Sequence, residues 1–334
     1  MSNFKLNITK ATQTEGSSSN RPEVDWNALN DHVIEAAGTA SKARSIPGYI
    51  SGIYDLGEQE RPDFEDVSTI AQEDEEDYID DHPGISFKTE NGKRIMCRAQ
   101  KPCQQIALAV DFPQIQVDKG QFFGNSNPAP LRLLLNGEFT MDGQRVVGKP
   151  FSISETKHTN GKWGFAKNST LHKLAESVNL LDSNGVFTKD RIGELLGKCA
   201  QFQFRVYMKP SKTDPSKKYF TEEIKLAGMV PEGVAVPEFA DEYLHGTNMM
   251  GENDPDAVKQ LRVAVKNTIK RALNYADSDI QHLLGEPEST STATKAPPPA
   301  NPKAPAKKAT QKRTGGSTPA FDPDAPLSDD DLPF

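Results

Sequence analysis

At Glu286 the composition turns to Ser, Thr, Ala, Pro and Lys, and this turn confines any fold to what precedes it. The stretch "EPESTSTATKAPPPANPKAPAKKATQKRTGGSTPAFDPDAP" has no apolar periodicity and holds nine prolines between positions 287 and 326. A segment so poor in apolar side chains cannot bury enough surface to offset the entropy of ordering it. Residues 286–325 are therefore expected as a disordered, extended Pro/Lys-rich linker. A coil of about forty residues separates its ends by roughly 35 Å, and further where the prolines hold polyproline geometry. Of 334 residues the first 285 must supply the core, and the 35% hydrophobic content of the chain is low for a globular protein.

Within those residues strand signals dominate. Residues 1–45 read as a weakly ordered extension with one helix, "EVDWNALNDHVIEAAG". Its Trp26, Leu29, Val33 and Ala36 share a face, and it stops at Gly38. β-Prone residues then fill "SIPGYISGIYDLG", "KRIMCRAQ", "QQIALAVDFPQIQVD" and "APLRLLLNGEFTMDGQRVVGKPFSIS". Asn136-Gly137 and Asp142-Gly143 have hairpin-turn chemistry. A helix is expected over "NSTLHKLAESVNLLDSNG", with Leu171, Leu174, Val178 and Leu181 as its stripe, Asn168 or Ser169 as cap and Gly185 as stop. A shorter helix, "KDRIGELLGK", leads to the strands "CAQFQFRVYMKP" and "YFTEEIKLAGMV", joined by the basic loop "SKTDPSKK".

About six strands with a helical insertion before the last two predict an OB-fold-like antiparallel barrel over residues 46–228, with a β-sandwich as the alternative. The run at 58–81 is too charged for core and reads as an excursion from the sheet. Residues 229–285 follow as an irregular connector and one long amphipathic helix, "NDPDAVKQLRVAVKNTIKRALNYADSDIQHLLG". Its stripe of Val258, Leu261, Val265, Ile269 and Leu273 faces the barrel or a second copy of the chain. The expected class is mainly β with helical additions, a C-terminal helix and a disordered C-terminal tail.

Sites of chemistry are missing from the pattern. "GQRVVGKP" matches G-x-x-x-x-G-K, but Pro150 stands where a hydroxyl should bind magnesium and open a helix, so it reads as a hairpin strand. Six histidines are scattered, and Cys97 and Cys103 are too far apart in sequence for a zinc pair, with no second pair following. "EDEEDYIDD" lacks the spacing and turn glycine of a calcium loop. No catalytic activity, metal or cofactor is expected. Three cysteines make no disulfide framework, no apolar run reaches a membrane span, and the N-terminus does not read as a signal peptide. The expected location is the cytoplasm.

The formal net charge of −8 conceals segregation. Residues 58–81 carry twelve acids and one arginine, whereas 82–228 carry 22 Lys/Arg against 13 Asp/Glu, or +9. A basic middle is the footprint expected of a nucleic-acid binder. Its cations lie among aromatics: Lys157, Lys162, Trp163, Phe165 and Lys167; then Arg205, Tyr207, Lys209, Lys212, Lys217, Lys218 and Tyr219; and Phe122 and Arg132 earlier. Single-stranded nucleic acid exposes its base faces, which stack on such rings at about 1–3 kcal/mol each, while lysine and arginine follow the phosphates. Alternation in "QFQFRVYMK" puts Phe202, Phe204, Val206 and Met208 on one side, as core. It puts Arg205, Tyr207 and Lys209 on the other, as binding face.

The chain ends in "DDDLPF", Asp329 to Phe334, after a disordered linker. In this it resembles the bacterial and phage single-stranded DNA-binding proteins, and "GKWGFAKNSTLHKLAESVNLL" followed by "IGELLGKCAQFQFRV" is similar to the phage members. The resemblance implies binding and protection of single-stranded DNA during replication, recombination and repair, in host cytoplasm if phage-encoded. It also implies that Asp329, Asp330, Asp331, Leu332, Pro333 and Phe334, within a tip at 326–334, recruit partner enzymes such as a polymerase, helicase, primase or nuclease. Two rival readings are a recombination mediator or strand-annealing protein, and an interaction scaffold that binds no DNA.

Overall fold

A computed structural model describes residues 24–285, except Asn125 and Thr213. Residues 1–23, the linker 286–325 and the tip 326–334, with Asp329–Phe334, lie outside the described residues.

Helix α1 (Trp26–Ala37) begins where Asp25 accepts from the Ala28 N–H at 3.0 Å and ends on Gly38 at φ 63. Its Leu29, Val33, Ile34 and Ala37 are buried. Strand β1 (Arg44–Gln59) then feeds a small unit of β2 (Phe64–Val67), α2 (Glu75–Asp81), β3 (Ile85–Glu90) and β4 (Lys93–Arg98). There the strands form their own sheet in the order β2-β4-β3. The "KRIMCRAQ" strand belongs to this unit. Its Arg94 grips Glu75 of the acidic run, and Lys88 of β3 bonds Glu65 at 2.6 Å.

The main sheet resumes with β5 (Cys103–Val117), then a short α3 (Gly120–Phe123) and β6 (Ala129–Leu134). After β6 come the hairpin of β7 (Glu138–Met141) and β8 (Gln144–Val147), β9 (Phe151–Ser152), and the ribbon of β10 (Thr156–Lys157) and β11 (Trp163–Gly164). Asn136, Gly137, Asp142 and Gly143 all have positive φ, the geometry their sequence predicts for tight turns. The "GQRVVGKP" segment is β8 and the turn after it. Helix α4 (Thr170–Ser177) is capped by Ser169 but ends at Val178, short of Leu181 and Gly185. The "KDRIGELLGK" segment is a 3₁₀ helix over Lys189–Leu195 rather than an α-helix. Two long strands close the series, β12 (Cys199–Pro210) and β13 (Lys218–Gly228).

Five long antiparallel strands run in the order β13-β12-β1-β5-β6, and β13 returns alongside β6 to make a nearly closed, barrel-like sheet. Strand β14 (His245–Thr247) adds to β1 in parallel. Strand β5 reads as a continuous apolar run because both of its faces are covered. Ile106, Leu108 and Val110 join Ile50, Leu131, Leu133, Phe202 and Phe204 in one core, whereas Ala107 and Ala109 join Tyr54 and Leu56 in a second.

That second core is completed by residues 249–280. The long helix expected there is broken into α5 (Pro255–Lys259), α6 (Val263–Lys270) and α7 (Gln281–Leu284). The first break falls at Arg262, whose backbone is extended at φ −59, ψ 145, so that its side chain enters the gap between β6 and β13, and the second spans 271–280. The guanidinium donates to Glu222 at 2.8 Å, to Glu138 at 3.2 Å and to the Arg132 carbonyl at 2.5 Å. A side chain thus spans the seam between these strands. Val258, Leu261, Val265 and Ile269 are buried as the stripe predicts and pack on the barrel, but Leu273 is exposed. Among the described residues no helix is long and apolar enough to cross a membrane.

Candidate nucleic-acid interface

Trp163 is 59% exposed. Local packing explains its stance. Gly164 lies so close to the segment behind it that an added Cβ would clash with Val186 Cγ1 and sit 2.8 Å from the Phe187 carbonyl oxygen. Phe165 then donates its N–H to Phe187 at 2.9 Å and turns its ring into the core. With Gly164 and Phe165 held inward, Trp163 projects outward. Lys157 stands across the ribbon from it, and Lys162 and Lys167 are exposed beside it in sequence.

The base of the ribbon is polar and tightly bonded. His158 accepts from Gly161 through its carbonyl, donates its N–H to Lys162, and bonds the Phe165 carbonyl through Nε2 at 3.0 Å. His172 of α4 lies 6.1 Å from the His158 ring and is 4% exposed, with no partner for Nδ1. Burial lowers its pKa, His158 and Lys167 push the same way, and Glu176 opposes them.

A second group occupies β12–β13. Alternation holds along β12: Phe202, Phe204 and Val206 are buried, with Gln203, Arg205, Tyr207 and Lys209 half-exposed on the other side; Met208 is only half-buried. The Arg205 guanidinium lies 4.1 Å over the Tyr207 ring and bonds the Ala40 carbonyl. Tyr207 donates to Glu223 at 2.7 Å, and burial and that bond raise its pKa. Lys212, Lys217 and Lys218 are exposed on the hairpin loop, closed by the Ser211 N–H on the Lys217 carbonyl, and Tyr219 is half-buried at its end.

Three predicted contacts have packing or partners of their own. Phe165 is 1% exposed and is core, so it offers no face to a base. Arg132 lies directly across from Asp111 and binds it at 2.7 and 2.8 Å, with a further bond to the Tyr243 carbonyl. Its charge is already matched. Phe122 is half-buried against the barrel core, its ring 5.8 Å from His32. Conversely, Lys225 is exposed across from Gln203 on the outward side of β13. A search for cations next to aromatics passes over it, whereas alternation along "YFTEEIKLAG" finds it.

No family model, curated protein or solved structure matches the chain.

Proposed function

We propose that the protein binds single-stranded DNA without sequence preference, does no chemistry on it, and recruits replication or recombination enzymes through Asp329–Phe334. The observation that carries the reading is Trp163, presented outward on a pinned ribbon with Lys157 opposite and Lys162 and Lys167 near in sequence. An exposed ring beside cations suits an unpaired base and its phosphate, and has less use on a duplex, whose base faces are hidden. The strand order, with α4 between the third and fourth long strands, fits an OB-fold barrel, a scaffold suited to oligonucleotides.

The test is titration of the whole chain with a labelled oligo-dT and a matched duplex at two salt concentrations. Tight, salt-weakened binding to the single strand with little to the duplex is expected. Trp163→Ala should lower that affinity about 5- to 150-fold, the equivalent of ~1–3 kcal/mol of stacking. Equal affinity for strand and duplex, or a Trp163→Ala protein that binds within twofold of the parent, would overturn the reading.

A further inference from the structure

The outer surface of the barrel is unequally covered. On β1 and β5, outward-facing Tyr54, Leu56, Ala107 and Ala109 share a core with Leu261, Val265 and Ile269 of the C-terminal helices, all at most 5% exposed. Closer to the start of β1, Tyr49 stacks on Phe239 at 4.7 Å and donates to the Pro237 carbonyl at 2.7 Å, so the connector lies over that strand. Arg132 of β6 is tied to Asp111 and to Tyr243 of the same connector. Cover built from so much apolar surface is permanent structure, since opening it would expose a core.

The outward side of β12–β13 has no such cover among the described residues. Its side chains face each other as Gln203 with Lys225, Arg205 with Glu223, Tyr207 with Thr221, and Lys209 with Tyr219. The Arg205–Tyr207 stack is preformed, and Glu223 fixes the phenol, so this surface loses little freedom when a ligand settles on it. One end of the pair is the hairpin with Lys212 and Lys218. At the other end the chain arrives from the connection that carries the Trp163 ribbon, which leaves β6 beside Ala109 and enters β12 beside Tyr49. The twelve residues of β12 span about 40 Å from that end to the hairpin.

Taking the single-strand reading as given, we infer that the strand runs from Trp163 across the outward side of β12–β13 to the hairpin, with Lys225 and Gln203 as further contacts. The β1–β5–β6 face takes no part. Such a path engages three lysines at the ribbon and four beyond it, Lys209, Lys212, Lys218 and Lys225.

Anisotropy of labelled oligo-dT of increasing length, with the full chain over a range of salt, tests the path. Affinity should keep rising to the upper part of the roughly 4–16 nucleotides an OB-type site covers. The slope of log K against log salt should be about −5 for seven phosphate contacts and only about −2 if the ribbon acts alone, at ~0.7 per contact. Lys225→Glu should weaken binding about tenfold at low salt and flatten the slope. Lys259→Glu, exposed on the helices over the covered face, should stay within twofold. A plateau at the shortest lengths with a slope near −2, or Lys259→Glu matching Lys225→Glu, would overturn the path while a Trp163→Ala defect keeps the single-strand reading alive. If Trp163→Ala has no effect, reading and path fall together.

Discussion

Replacing Arg262 by Met removes the side chain that spans the seam between β6 and β13. Its side chain is 14% exposed, and its partners Glu222 and Glu138 are 15% and 17% exposed. Burial alone would lower the guanidinium pKa, but Glu222 and Glu138 more than offset this and raise it. In Arg262→Met, Glu138 keeps Arg145 at 3.7 Å, while Glu222 loses the guanidinium and keeps only the electrostatic pull of Lys119, and the Arg132 carbonyl loses its donor. Breaking a buried pair from one side costs about 3–5 kcal/mol, chiefly from the charge left behind. For a folded unit of this size, that is a fall in Tm of about 6–20 °C. Urea unfolding of Arg262→Met should give the free-energy loss, and Arg262→Met with Glu222→Gln and Glu138→Gln should recover much of it. A loss below about 1 kcal/mol, the range of a surface pair, would refute the seam reasoning. So would a triple variant no more stable than the single one.

Two further outcomes are expected of the ribbon. Gly164→Ala forces a methyl against Val186 and the Phe187 carbonyl, which should cost about 1–3 kcal/mol and shift Trp163 emission; unchanged unfolding and emission would mean the ribbon is not pinned there. His172 has a folded-state pKa below its ordinary 6.5, so the unfolded chain takes the proton first. Its contribution is therefore undiminished above pH 6.5 and is lost as pH falls below it. His172→Gln should flatten the decline in urea midpoint between pH 7 and 5, and parallel declines in the two proteins would refute the assignment.

Where local physics decides, the sequence was readable. The outward and inward sides of β12 follow from alternation alone, and Asn136-Gly137 and Asp142-Gly143 turn as their chemistry demands. Asn91-Gly92, joining β3 to β4, carries the same signal at positive φ and was there to be used. Reading failed where a distant partner decides. Lysines on both sides made Phe165 look exposed, but Phe187 draws it inward. Arg132 looked like a phosphate ligand because Asp111 is 21 residues away in sequence, though the two face each other across β5 and β6. The helical period through 254–285 is genuine, yet filling the seam with Arg262 interrupts the helix there. No periodicity contains that information.

Charge requires the same care. Residues 58–102 hold thirteen acids and six bases, and residues 103–228 hold 17 bases and 12 acids, so the +9 of the middle falls to +5 once the small sheet keeps its own cations. What attracts a polyanion is placement rather than the sum. The acidic unit leaves β1 at Gln59, whereas the hairpin lies beyond Arg44 at the other end of the strand. Sixteen residues of strand put about 50 Å between them, several times the ~8 Å screening length at physiological salt. The ribbon is less favoured, because it follows β9, which pairs beside the base of the acidic unit at Gln105 and Ile106. Capture by charge should therefore belong to the hairpin and retention by stacking to Trp163. Lys212→Glu should cost much affinity at low salt and little at high salt, since the lost attraction is screened. Trp163→Ala should cost nearly the same at both, since stacking releases no counterions. If the two salt dependences coincide, the division of labour between hairpin and indole is wrong.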